Sequence, residues 1–223
     1  MSNELKTVGQ QNRRAAVIVG RFNPPTIGHY SVIQVVKKVV LQQKLDAVPF
    51  VVVIEGKETS KDKSRNPLTA DERISFMKGS GKADGVKFLK ATSAFAAFEE
   101  VRKAGFEPIA IAAGSDRGQN YLEMLDKYFK TKDGEYIEHH LIELPRTANE
   151  ATEKIDKAAA LEDVLRYTDG DLPISMVSAS LARLAVKKGE RGKFAIIVGL
   201  TDKPDLATMM FNKIRTAIGS QES

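Results

Sequence analysis

The sequence predicts a doubly wound α/β protein with a parallel five-stranded sheet and a helical C-terminal cap. Three observations carry that expectation. Apolar runs of strand length alternate with helix-period stretches as far as residue 144, which is the signature of crossover-connected parallel strands. The run Pro49-Phe50-Val51-Val52-Val53-Ile54 is apolar without alternation, as in a strand covered on both faces. Beyond Pro145 the periodicity is helical only.

Each element has its own signal. Residues 1–12 are polar and aperiodic and are expected to form a flexible arm. Arg13-Arg14 lead into a first strand over 15–20. Val32, Val35, Val36, Val39 and Val40 then recur at helical spacing, giving a helix over 28–44 by period, since valine is a poor helix former. The second strand spans 49–54, and a charged aperiodic loop spans 55–66. Thr69 with Glu72 forms the capping-box pattern of a second helix. A third strand is expected over 86–91, a third helix over 93–104 and a fourth strand over 108–113. A helix over 121–129 and a fifth strand over 136–144 follow. The C-terminal part, 145–223, is expected to be mostly helical, with helices over 150–167, 178–188 and 204–218. No repeat, low-complexity tract or linker divides the chain, so one domain over 1–223 is expected.

Composition narrows the function. Of 223 residues, 42% are hydrophobic and 28% charged, an ordinary globular balance. The net charge of +5 suits an anionic ligand. There is no cysteine, which excludes disulfides, thiolate metal sites and a cysteine nucleophile. No signal-peptide core and no membrane-length apolar run are visible, so a soluble cytoplasmic protein without a membrane partner is expected. Arg13-Arg14 and Lys187-Lys188 lack the interleaved aromatics of a nucleic-acid surface, which argues against nucleic acid as a partner. Interface patches and core stripes look alike in one sequence, so a homo-oligomer stays open.

The chemistry concentrates after the first strand, in Gly20-Arg21-Phe22-Asn23-Pro24-Pro25-Thr26-Ile27-Gly28-His29. A strand that breaks at glycine, turns through two prolines and re-enters a helix places backbone amides, a hydroxyl and an imidazole at a sheet's carboxyl edge. That is where open α/β sheets bind ligands and where helix N-termini favour phosphate. A second cradle is Ser178-Ala179-Ser180 with Arg183 one turn on, hydroxyls and a guanidinium fork suited to phosphate oxygens. Gly114-Ser115-Asp116 closes the fourth strand; Asp116 suits either a ribose contact or a helix cap. The loop over 57–65 carries four cations, of which Lys63 and Arg65 are the best placed to fold over a polyphosphate. Arg73 in the second helix suits an acceptor phosphate or ordinary helix chemistry. His139-His140 point to opposite faces of a strand and are expected to be structural rather than metal ligands. No metal-ligating set and no Gly-x-x-x-x-Gly-Lys-Ser/Thr segment is present.

The turn over 20–29 resembles the (His/Thr)-x-Gly-His motif of the nucleotidylyltransferase superfamily, which includes cytidylyltransferases and nicotinamide-mononucleotide adenylyltransferases. Val177-Ser178-Ala179-Ser180-Leu181-Ala182-Arg183 is similar to that group's Ile-Ser-Ser-Thr-x-x-Arg, with alanine and serine where the pattern has serine and threonine. Gly114-Ser115-Asp116 looks like its Gly-x-Asp. The resemblance covers about residues 15–185 and implies a Rossmann-like fold. It also implies transfer of AMP or CMP from ATP or CTP to a small phosphorylated acceptor, with pyrophosphate released and Mg2+ carried in by the triphosphate. Phe22-Asn23-Pro24-Pro25-Thr26 looks closest to the nicotinamide-mononucleotide enzymes; cytidylyl transfer and a binding protein without turnover are the alternatives. On this reading His29 and Thr26 stabilise the α-phosphate, and a phosphate neighbour would favour charged His29. Ser178, Ser180 and Arg183 grip the outer phosphates, with Lys63 beside them. Gly20, Arg21, Phe22 and Asn23 line the nucleotide with backbone, Gly28 admits its close approach, and Gly114 and Asp116 complete the pocket.

Overall fold

The structure is a computed structural model that describes residues 13–57, 60–130, 137–144, 156–167 and 177–219, with backbone alone at 114–117. The expected arm over 1–12 and the start of the helix expected over 150–167 lie outside the described residues. Five strands, β1 (Arg13–Gly20), β2 (Ala47–Ile54), β3 (Lys87–Ala91), β4 (Phe106–Gly114) and β5 (His140–Leu144), make one sheet of order β3-β2-β1-β4-β5. Every neighbouring pair is parallel. The order reverses between β1 and β4, so the crevice of this doubly wound, Rossmann-like sheet opens beside Gly20 and Gly114.

The two faces of the sheet are set by strand alternation. Ala16 and Ile18 of β1, with Val51 and Val53 of β2, join the core under α1 (Ile27–Gln42) and α2 (Ala70–Ser80). Ala15 and Val17, with Phe50 and Val52, join the opposite core under α3 (Ala94–Lys103) and α4 (Ser115–Tyr128). Both β1 and β2 are therefore apolar at nearly every position. Ile33 and Val36 of α1 are 0% exposed, and each such side chain contributes roughly 1.5–3 kcal/mol on transfer from water. Pro49 is tolerated in β2 because it lies in the stretch paired to β1 before β3 joins at Phe50.

The cap comprises α5 (Lys157–Asp163) with a following 3-10 turn (Val164–Arg166), α6 (Ala179–Lys187), α7 (Arg191–Ile197) and α8 (Pro204–Gly219). Its core takes in Leu68 and Phe76, so it is built onto α2 and the segment before it. Lys213 of α8 pairs with Glu72 at 2.7 Å, and Lys203 donates to the Gly79 carbonyl at 2.8 Å.

Several boundaries differ from expectation. The helix expected over 121–129 begins at Ser115, directly after β4. Gly118 does not break it: a Cβ there would lie 2.8 Å from Leu141, so this glycine admits close helix–strand packing. The fifth strand starts at His140 rather than at 136. The helix expected as far as 167 ends at Asp163, the chain tightening into the 3-10 turn. The seven-residue α7 was not anticipated, because Gly189 and Gly199 crowd a segment too short to display a period. No helix among the described residues is long and apolar enough to cross a membrane.

Candidate active site

The turn after β1 is assembled by buried side chains. Asn23 is 3% exposed; its Nδ2 donates to the Leu68 carbonyl at 2.9 Å and its Oδ1 accepts the Leu68 N–H at 3.1 Å. Arg73, 2% exposed, is a clamp. Its Nη1 donates to the carbonyls of Arg21 and Ile54, its Nε to the Thr69 carbonyl and its Nη2 to Glu55 Oε1. One guanidinium thus ties the ends of β1 and β2 to the start of α2. This replaces the acceptor-phosphate role considered for Arg73. Sequence reasoning missed the clamp because Asp-Glu-Arg in a first helical turn looks the same whether the arginine is buried or solvated.

Thr26 is the N-cap of α1 and His29 its third residue. The Thr26 backbone N–H donates to His29 Nδ1 at 3.0 Å, and Thr26 Oγ1 lies 2.9 Å from the same nitrogen. A backbone N–H can only donate, so Nδ1 presents its lone pair and the ring proton is assigned to Nε2. Burial lowers the His29 pKa from 6.5 to about 4, holding the imidazole neutral. The protein's own surroundings therefore act against the charged imidazolium expected beside phosphate, and the donor they prepare is a neutral Nε2–H. Thr26 is 2% exposed, with its hydroxyl oxygen 2.9 Å from the imidazole Nδ1.

Phe22 and Asn23 both have buried side chains. Arg21 is exposed, and its carbonyl is held by Arg73. Gly20 accommodates Phe22, whose Cζ would lie 2.8 Å from a Cβ at that position. Gly28 lies in the first turn of α1. Gly114 ends β4 at the crevice, and Asp116 follows in the first turn of α4; its side chain lies outside the description.

The late motif reaches this turn. Ser178 caps α6, its Oγ accepting the Leu181 N–H at 3.1 Å, with Ser180 Oγ 2.9 Å away. Arg183 Nη1 donates to the Asn23 carbonyl at 2.6 Å. A residue 160 positions downstream is thereby fixed to the β1 turn. Burial lowers the Arg183 pKa, and the charges of Asp62 and Arg65 also act on it, so the basic loop shares its electrostatic surroundings. In that loop Asp62 Oδ1 accepts from Ser64 Oγ at 2.6 Å and from the N–H groups of Ser64 and Arg65. The Ser64 hydroxyl is the main cause that holds its carboxyl below the usual range. Arg65 is exposed and Lys63 half-buried.

His139 is not at this site. Its Nδ1 lies 2.7 Å from Asp126 Oδ1, in the packing of α4 against the residues that precede β5. Among the described residues no group of three or more His, Cys, Asp or Glu is placed to hold a metal ion.

A family model described as cytidylyltransferase-like matches residues 17–155, which include the β1 turn and Gly114. No curated protein matches the sequence. Solved structures do match. One, titled as the crystal structure of a macrolide-efflux protein from Streptococcus pneumoniae, shares 20% identity at a TM-score of 0.39. The match covers 68% of this chain, which spans about half (52%) of that structure's length.

Proposed function

The chain belongs to the cytidylyltransferase-like family, and we propose that it transfers a nucleotidyl group from ATP or CTP to a phosphate-bearing acceptor. Adenylyl transfer to a mononucleotide such as nicotinamide mononucleotide is the favoured case, on the resemblance of residues 22–26. An acceptor phosphate oxygen attacks the α-phosphorus and forms a new P–O bond. The P–O bond to the bridging oxygen breaks, and pyrophosphate leaves with the electron pair. No protein nucleophile is needed, so positioning and charge stabilisation carry the catalysis. His29 Nε2–H donates to a non-bridging α-phosphate oxygen as charge builds there, with Thr26 holding the opposite ring nitrogen. Ser178, Ser180 and Arg183 receive the outer phosphates, with Lys63 or Arg65 closing over them. Magnesium enters as part of the nucleotide substrate, held by phosphate oxygens and water.

The observation that carries this reading is the Arg183–Asn23 contact at 2.6 Å, which joins the serine–arginine segment to the histidine turn. The alternative of a nucleotide-binding protein without turnover is favoured by one feature, Ala179 in a position where the resembling motif has serine. One experiment separates them: thermal shift with each magnesium–NTP, then pyrophosphate release with ATP or CTP across a panel of phosphorylated acceptors. A bound nucleotide raises the melting temperature by mass action. Release with one acceptor supports transfer; stabilisation by a nucleotide without release from any acceptor supports the binding protein. No stabilisation by any nucleotide sinks both.

A further inference from the structure

Phe22 is an unexpected residue for its backbone. Its φ of 50° lies in the left-handed region, where glycine or asparagine is usual and a bulky aromatic is an outlier. The surrounding fold must compensate for that strain, and strain retained at a site points to a role. The ring is 4% exposed and is wedged between two other residues of the turn. On one side it covers Gly20, where a Cβ would come within 2.8 Å of Phe22 Cζ. On the other it meets the His29 imidazole in a T-shaped contact, with centroids 5.0 Å apart and planes at 69°. Gly20, Phe22 and His29 are therefore in continuous contact, and the glycine's missing side chain is what admits the ring.

We propose that Phe22 is a positioning residue for His29: seated over Gly20, its ring walls one side of the imidazole, fixes the imidazole plane and excludes water from it. Thr26 and Phe22 divide the task. Thr26 occupies Nδ1 and sets which nitrogen carries the proton, whereas Phe22 restricts where the remaining N–H can point. Of the charged side chains tied to this turn, Arg73 with Glu55 lies behind it and Arg183 reaches it from α6, where the charges of Asp62 and Arg65 also act. Arg73 is engaged with Glu55 and backbone carbonyls, and Arg183 with the Asn23 carbonyl. That leaves apolar enclosure, rather than a charge partner, as what Phe22 supplies. The kinetic consequence rests on the transfer reaction proposed above; the physical role does not.

The chain has three histidines, so imidazole resonances of the full-length protein are few enough to follow by NMR against pH. The proteins compared are wild type, Phe22→Leu and Gly20→Ala. Leucine removes the ring, and alanine displaces it from below without removing it. The second variant thus keeps the test standing if the first does not fold. In wild type the His29 resonance is expected to titrate near 4. In both variants its midpoint is expected to rise by about one unit or more, as water reaches the ring. With an active acceptor, kcat is expected to fall by roughly tenfold or more in both variants. A His29 midpoint unmoved in both variants overturns the proposal, as does an unchanged kcat beside a moved midpoint. If wild type turns over no acceptor, it is the transfer reaction that fails, and the titration alone decides the role of Phe22.

Discussion

At the scale of single residues, the proposed transfer depends on one imidazole, which contacts Thr26 at Nδ1 and Phe22 at its ring. Because the Thr26 N–H occupies Nδ1 at 3.0 Å, the ring proton is assigned to Nε2, the nitrogen that the proposed transfer uses. Replacing His29 by alanine is expected to lower turnover by about 100-fold or more, the usual scale for a lost charge-stabilising donor. Its stability cost is smaller, about 1 kcal/mol, since what is lost is an acceptor at a helix N-terminus. Steady-state rates beside urea denaturation curves check both halves; a fall in rate matched only by global unfolding would contradict them. The same residue sets a pH dependence. Its pKa is lowered from 6.5 to about 4 by burial, so between those values the unfolded chain binds a proton that the folded chain does not. Stability from this group is full above pH 6.5 and is lost as pH falls toward 4. The loss is on the order of 3 kcal/mol at most. Relative to His29→Gln, the stability of wild type is expected to fall by about 2–3 kcal/mol between about pH 7 and about pH 4.5, read from urea denaturation at each pH; a difference that stays constant would refute the linkage.

At the scale of elements, legibility followed locality. The β1 turn, the Thr69–Glu72 capping box and the Ser178 cap are contiguous patterns, and each is found where the residues indicated it. The start of α4 was hidden because Gly118 looks like a breaker until Leu141 is known to pack on it. Arg73 was illegible for a stronger reason: its acceptors lie 4 to 52 positions away, and nothing in Asp71-Glu72-Arg73 announces burial. Thr26 showed the reverse limit, since the motif located it but not the direction of its hydroxyl. The clamp yields a direct prediction. Arg73→Lys keeps the charge, but a single ammonium cannot span carbonyls of three segments and a carboxylate. It is expected to destabilise the fold by roughly 2–4 kcal/mol through buried acceptors left unpaired. Denaturant midpoints read this, and a variant within experimental error of wild type would show that the network is dispensable.

At the scale of the whole molecule, the sheet and the cap depend on each other through one helix. Phe76 and Leu68 belong to the cap's core, while Ala70 and Met77 of the same segment belong to the core beneath α1 and α2. Glu72 caps α2 and also pairs with Lys213 of α8 at 2.7 Å. Arg183 adds a direct link from α6 to the β1 turn. An element buried on two sides cannot lose one partner without exposing apolar surface to water, which couples the stabilities of both cores. The expected outcome is one cooperative unfolding transition for the full chain, with the far-ultraviolet signal and tyrosine fluorescence superimposing in urea. A chain cut after residue 144 should then fail to hold α2 in place, exposing Leu68 and Phe76 and binding a hydrophobic dye. If the two probes separate into distinct transitions, or the shortened chain unfolds as sharply as the full one, the cap is an independent unit rather than the outer wall of a single domain.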